Sequence, residues 1–219
     1  MSRNKLVRFQ ENVKNPNVIQ DGKPIFDTIK GNWNEVQFQN SNPIVVELAC
    51  GRGEFTVGLA QNFPNQNFIG VDIKGSRIWK GSSTATAEGI HNVAFLRTQI
   101  ELLDKYFAAD EISEFWITFP DPYPRDGDEK RRLTSPRFLE MYKSMLKKDG
   151  IFHFKTDNTD LFNYSLELFQ KREDVEVIGF THDFYQSEWM NDHFGIQTRY
   201  EKMFSDKGEK IKYLKCRFM

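Results

Sequence analysis

Three acids and a pair of glycines stand where this chain could do chemistry. Ile44-Val45-Val46-Glu47-Leu48 is a β-branched run of the kind that forms a buried parallel strand, and it ends in Ala49-Cys50-Gly51-Arg52-Gly53. Glu54 then opens an amphipathic segment with Phe55, Leu59, Ala60 and Phe63 at helical spacing, stopped by Pro64. Asn67 to Val71 reads as a second strand, with Asp72 at its tip. Gly51 and Gly53 let backbone approach a ligand closely, and the helix N-terminus beyond them presents unpaired N–H groups. Asp72 follows Gly53 by 19 residues, close to the roughly 20 at which an acid takes both hydroxyls of a ribose. Alone, the glycines equally suit a plain α/β crossover; the acid at that distance favours a nucleoside cofactor.

The pattern is not that of a dinucleotide site. A G-x-G-x-x-G turn uses its third glycine for tight helix–strand packing, and Thr56 occupies that place, while Ala49 holds the first position of the longer turn. The charge of Glu47 would repel a pyrophosphate. It suits a cofactor with a positive amino group, and S-adenosylmethionine carries one together with a ribose for Asp72.

The third acid lies in a second informative stretch. Phe115 to Phe119 is a fourth strand, broken abruptly by Pro120-Asp121-Pro122-Tyr123-Pro124. Three prolines around an acid and an aromatic make a stiff loop at the carboxyl end of a strand, where a doubly wound sheet presents its ligands, and the stiffness lowers the entropy lost in holding Asp121 in place. The bland alternative is a proline-rich surface turn. Lys130-Arg131-Arg132, followed by Arg137, forms a basic patch beyond the loop, suited to a phosphate backbone, though Asp126, Asp128 and Glu129 partly cancel its field.

The elements that must hold these groups read as α/β. Ser76 to Glu88 is a helix stopped by Gly89, and Val93 to Leu96 a third strand leading to Gln99, whose amide suits an adenine edge or plain solvent. Ile100 to Phe107 reads as helical, and Phe138 to Leu146 carries an apolar helix stripe. Ile151 to Lys155 is a fifth strand with Thr156-Asp157-Asn158 at its tip, where Thr156 or Asp157 caps the helix from Leu161 to Phe169. Val175 to Phe180 is a sixth strand. Asp183 to Gly195 is a loop or short helix whose Tyr185 and Trp189 either stack on a base or pack locally. Lys202 to Arg217 reads as a hairpin around Lys207-Gly208, and residues 199–217 carry seven bases against three acids, a second candidate RNA surface.

Composition bounds the rest. The chain has 219 residues, 39% hydrophobic and 28% charged, which is ordinary for a single globular core. Its net charge of −1 gives no bulk attraction to nucleic acid, so any RNA surface must be local. Cys50 and Cys216 are far apart with no CxxC spacing, which favours a reducing, cytoplasmic compartment and no metal site. No apolar run approaches a membrane span. Residues 1–30 are expected as an extended basic N-terminal arm, since Arg3, Lys5, Arg8 and Lys14 against Glu11 give a local net charge of +3 and periodicity is poor. A single domain then spans 31–219.

Taken together, Glu47 to Phe55, Ile69-Gly70-Val71-Asp72, Phe119 to Pro124, Lys130 to Leu133, His153-Phe154-Lys155-Thr156-Asp157-Asn158 and Thr198-Arg199-Tyr200-Glu201 resemble the tRNA (guanine-N7-)-methyltransferase family over roughly residues 40–219. The resemblance implies a Rossmann-like methyltransferase sheet, doubly wound and mostly parallel with a C-terminal antiparallel strand, acting on tRNA as a monomer or homodimer. It implies that Glu47, Asp72 and Asp121 line the crevice for S-adenosylmethionine and catalysis, with Gln99 where the family usually has an acid. It further implies that Arg125, Asp157, Thr198, Arg199, Tyr200 and Glu201 hold the guanine. Tyr123 replaces a usual Trp, Arg125 a usual Lys, and Asp126-Gly127-Asp128 a more basic segment.

Guanine N7 is an unprotonated lone pair in neutral RNA, so its attack on a methyl group needs no general base, only an aligned approach at about 3–3.5 Å. Asp121 is expected to accept from the guanine N1/N2 edge. Two rivals stand beside this reading. Asp121-Pro122-Tyr123 partly echoes the loop of amino-group methyltransferases, and a non-catalytic RNA-binding module would share the basic patches.

Overall fold

The structure, a computed structural model, describes residues 3–219. One sheet contains the strands β1 (Val18–Ile19), β2 (Ile44–Leu48), β3 (Asn67–Val71), β4 (Val93–Leu96), β5 (Ile112–Thr118), β6 (Leu146–Thr156), β7 (Val175–Thr181) and β8 (Lys212–Phe218). Their spatial order is β1-β4-β3-β2-β5-β6-β8-β7; the strands from β1 to β6 pair parallel, while β8 runs antiparallel to β6 on one side and β7 on the other. The helices are α1 (Arg3–Lys14), α2 (Glu54–Asn62), α3 (Gly75–Ala87), α4 (Pro136–Met145), α5 (Thr159–Gln170) and α6 (Arg199–Ser205).

The period of two along each strand decides what faces what. In β2, Ile44, Val46 and Leu48 enter the larger core with Phe138, Phe162 and Phe169, while Val45 enters the second core with Phe55, Phe68 and Ile78. Glu47 falls on the face of Val45, the face covered by α2. In β5, Phe115 and Ile117 go to the first core and Trp116 to the second, so Thr118 shares the face of Glu47. The strand order reverses at β2 and β5, where β3 and β4 lie on one side and β6 on the other. A crevice opens at such a point, beyond the carboxyl ends of the strands.

Two expectations are corrected. Residues 3–14 are helical rather than an extended arm, and Val18–Ile19 joins the sheet edge beside β4; the first two residues of the expected arm lie outside those described. The helix is held by tertiary contacts to α3. Asn12 Nδ2 donates to Gly75 O at 2.7 Å, and Glu11 accepts from Trp79 Nε1. The expected hairpin at 202–217 is instead α6, a turn with Gly208 at φ 81°, and β8, which pairs with β6 and β7. Thr198 and Glu201 explain that helix: the Thr198 hydroxyl accepts from the Glu201 N–H at 3.1 Å, an N-cap. The expected helix from Ile100 is present as a short 3-10 helix, Ile100–Lys105, and of the two alternatives for the aromatics of 184–193 the structure shows packing within the protein, Trp189 lying 6.3 Å from the Tyr213 ring.

Candidate functional site

The carboxyl ends of β2 to β6 and the start of α6 enclose a cavity of about 840 Å³. Glu47, Gly51, Asp72, Gln99, Asp121, Asp157, Thr198, Arg199 and Tyr200 line it, so most of the residues singled out in the sequence converge there. Gly53, Arg125, Lys130, Arg132 and Glu201 do not line it.

The floor begins with Glu47, which is 3% exposed. Its Oε2 accepts from the backbone N–H of Thr56 at 2.9 Å and from the Thr56 hydroxyl, and its Oε1 accepts from Thr118 Oγ1 at 2.8 Å. Burial pushes this carboxyl up to about 7, against the opposing pull of those hydrogen bonds. Thr56, which stands where a dinucleotide fold has glycine, therefore serves the acid. Thr118 was not singled out; the signal is its alternation with Trp116 on the face of Glu47.

The glycine loop follows. Ala49 takes φ 56°, Gly51 φ 57° and Gly53 φ 70°. Gly53 is the N-cap of α2, where an added Cβ would run into the Phe95 ring, so its part is to let loop, α2 and β4 pack together. Gly51 has no side chain within reach and lies open to the cavity, its N–H donating to Asp72 Oδ2 at 3.0 Å. Asp72 Oδ1 accepts from Lys74 N at 2.7 Å, and burial pushes the Asp72 carboxyl above its ordinary value. Each carboxylate oxygen keeps lone-pair capacity for a further donor. Two buried acids with spare acceptor sites, beside a turn that admits close backbone approach, fit a cofactor bearing an ammonium group and a ribose.

The proline loop rises on the opposite side. Phe119 (φ 52°) and Tyr123 (φ 44°) sit in left-handed backbone, a conformation that bulky residues hold only under constraint. For Phe119 the constraint comes from its N–H bond to Lys155 O at 2.9 Å and its stacking on Phe204, and for Tyr123 from the basic run. Arg131 lies over the Tyr123 ring at 4.3 Å, and Arg132 Nε donates to Tyr123 O at 3.1 Å while its guanidinium lies 4.4 Å from the Tyr164 ring. Arg132 thus fixes the loop, and Lys130 is exposed beyond it. Asp121 is exposed with no hydrogen-bond partner among the described residues.

The third wall comes from β6 and α6. Asn158, rather than Thr156 or Asp157, caps α5, accepting from Leu161 N at 2.8 Å. Asp157 is thereby left for the cavity, and its own carbonyl accepts from Lys212 Nζ at 2.6 Å. Thr198 is the cap of α6, and Arg199 N donates to Glu54 Oε2 at 2.8 Å, tying α6 to the start of α2. Glu201 is fully buried: Oε1 accepts from Lys155 Nζ at 2.6 Å and from Tyr185 OH at 2.8 Å, whereas Oε2 has no partner. Burial pulls the Lys155 ammonium down and Glu201 pushes it back up. Lys155 and Tyr185 as partners of Glu201 were not foreseen, because the Lys155 contact joins residues 46 apart in sequence.

Among the described residues no group of His, Cys, Asp and Glu could hold a metal ion, and no helix is long and apolar enough to cross a membrane. Residues 41–214 match the family model described as "Putative methyltransferase". The chain is 44% identical to a tRNA (guanine-N(7)-)-methyltransferase of Cytophaga hutchinsonii, over 100% of this chain and 99% of that protein. It is 48% identical to the protein of the same name from Christiangramia forsetii, over 98% and 97% of the two chains. Among solved structures it resembles the 16S rRNA methyltransferase KamB, with a TM-score of 0.64 and 13% identity over 84% of this chain and 91% of that one. A mutant of the 16S rRNA (adenine(1408)-N(1))-methyltransferase from Catenulisporales acidiphilia, solved with its cosubstrate SAM, is similar in fold at a TM-score of 0.58 and 13% identity, over 86% and 91% of the chains.

Proposed function

The chain belongs to the tRNA (guanine-N7-)-methyltransferase family, and from that premise we propose how its residues perform the reaction. It is an S-adenosylmethionine-dependent enzyme that methylates N7 of a guanine in tRNA. The cofactor supplies, when bound, an electrophilic methyl on a sulfonium. Glu47 meets its positive amino group, Asp72 accepts from its ribose hydroxyls, Gly51 admits its close approach, and Gln99 hydrogen-bonds its adenine edge.

The nucleophile needs no base, so the protein's work is alignment. Asp121, held on a constrained loop with its carboxylate free, accepts from the guanine N1–H and N2–H, a donor pair adenine lacks. Asp157, Thr198, Arg199 and Tyr200 complete the guanine pocket. Glu201 positions them through Lys155 and Tyr185, and Arg125 with Lys130 meets the RNA backbone outside the cavity while Arg131 meets it at the rim. The guanine lies in the variable loop of tRNA, and the enzyme works in the cytoplasm, consistent with two buried free thiols, as a monomer or homodimer.

The observation that carries this reading is the convergence of Glu47, Asp72 and Asp121 on one cavity in a chain alike over its full length to these methyltransferases. The test is methylation of bulk unmodified tRNA with labelled S-adenosylmethionine, followed by nucleoside analysis. Label in 7-methylguanosine is expected. Label on an exocyclic amine would point to amino-group transfer instead, and absence of cofactor binding by calorimetry would leave a non-catalytic RNA-binding module.

A further inference from the structure

The cavity mouth has cations on both halves of the sheet. On the β5–β6 half stands Arg131 with its neighbour Lys130. On the β3–β4 half, five bases line the same cavity: Arg8 from α1, Arg52 from the glycine loop, and Lys74, Arg77 and Lys80 around the start of α3. They come from three separate parts of the chain, in a protein whose net charge is −1. None of the five forms an ion pair among the described residues.

The nearby acids are already engaged. Glu11 accepts from Trp79 Nε1, Glu54 accepts from Arg199 N, and Asp72 accepts from Gly51 N and Lys74 N in the floor. Five cations on one rim, none in an ion pair, outnumber the acids Glu54 and Asp72 beside them, of which Asp72 is drawn on by Arg77 and Lys74, and such an accumulation creates a potential that attracts a polyanion. The rim is also built rather than loose. Asn12 bonds to Gly75 O, Arg8 lies over the Trp79 ring at 4.7 Å, and Phe9 lies 5.0 Å from the Arg97 guanidinium. Those contacts fix α1 on α3 and set Arg8 on the rim.

We infer that α1, the glycine loop and the first half of α3 form a second phosphate-backbone surface for tRNA, separate from the patch at 130–132. The inference rests on tRNA being the substrate. A single cofactor carboxylate does not need five cations. Arg52 and Lys80 also line the neighbouring groove between α2 and α3, so the charge continues over the ridge, away from the cofactor floor. Since β2 lies between the two halves, the strand entering the cavity and the strand leaving it are each held by their own cations. The target guanine is thereby offered to Asp121 from a backbone gripped on both sides.

The test compares wild type, Lys80→Gln, and Arg8→Gln with Lys80→Gln combined. Lys80 is exposed on α3, so its single variant stays informative if loss of Arg8 loosens α1. tRNA binding is followed by fluorescence anisotropy across a salt series, cofactor binding by calorimetry, and folding by thermal melting. The combined variant is expected to bind tRNA roughly 10-fold more weakly and to lower the slope of log affinity against log salt by about 1–2, each lost phosphate contact removing about 0.7–0.9. Lys80→Gln alone takes about half of that slope change. In Lys80→Gln, KM for tRNA rises while kcat, cofactor affinity and melting temperature stay put. Unchanged tRNA affinity and salt slope, with a Lys130→Gln and Arg131→Gln control showing the loss, overturns the second surface. A loss confined to cofactor affinity overturns it as well. A wild-type protein that neither binds nor methylates tRNA would instead sink the substrate reading itself.

Discussion

Thr56 donates twice to a single oxygen of Glu47, once through its backbone N–H at 2.9 Å and once through its hydroxyl. The residue that breaks the dinucleotide glycine pattern is thus the residue that makes a buried acid tolerable. A carboxylate taken out of water needs such donors.

Removing the hydroxyl alone tests this. Thr56→Val keeps the backbone donor and nearly the same volume but leaves Glu47 one donor short. A stability loss of about 1–3 kcal/mol is expected, read by denaturant unfolding. Weaker cofactor binding at neutral pH should accompany it, because the acid is pushed further toward its neutral form. Thr56→Ser should restore most of both.

Glu47 also sets a pH dependence. Its carboxyl is pushed up to about 7 in the folded protein from an ordinary value of 4.5. Between those values the folded protein keeps a proton that the unfolded chain has released. Stability therefore falls as pH rises through that window, at about 1.4 kcal/mol per unit, and the effect is complete above the folded value. Glu47→Gln should flatten the slope there. A cation bound beside Glu47 favours the ionised form, so cofactor binding below the folded value should release a proton, detected by calorimetry in buffers of different ionisation enthalpy. Proton uptake, or none, would contradict the placement of the amino group.

Asp121 supports no part of the fold, being exposed and without a partner among the described residues. Asp121→Ala should melt like the wild type and bind the cofactor nearly as well. Its kcat/KM on tRNA should fall by roughly 10²-fold, the scale of a few kcal/mol for a lost charged pairing. Turnover close to normal would remove Asp121 from the guanine edge.

The Lys155–Glu201 pair tests whether α6 is held from within. Lys155→Met leaves a buried charge uncompensated and should cost about 3–5 kcal/mol. Adding Glu201→Gln should recover part of that loss, a non-additivity visible by chemical denaturation. Guanine selectivity should weaken in both variants if Glu201 positions Thr198 and Tyr200.

The strand, glycine loop, helix and second strand around Glu47 and Asp72 were readable because they follow one another without interruption from Ile44 to Asp72, and Asp121 was readable because strand ends in this topology face the crevice. Other parts were not. Glu201 reads like a pocket acid until Lys155 is found beneath it. Arg132 reads like a phosphate contact until its hydrogen bond to Tyr123 O is seen. The helical state of residues 3–14 depends on Trp79 and Gly75, far along the chain, and the rim of bases depends on that docking. In each case the deciding partner lies outside the element that carries the residue, and a period of two or 3.6 does not name it.

The two-residue strand β1 has a consequence beyond the site. Phe95 N donates to Asn17 O at 2.7 Å and Arg97 N to Ile19 O at 2.8 Å, so this short segment occupies the outward hydrogen-bonding groups of β4. Without it, β4 would present a bare apolar edge of Val93, Ala94, Phe95 and Leu96, a template for pairing between molecules. Damage to the first twenty residues would then show itself as aggregation during expression before any loss of turnover could be measured.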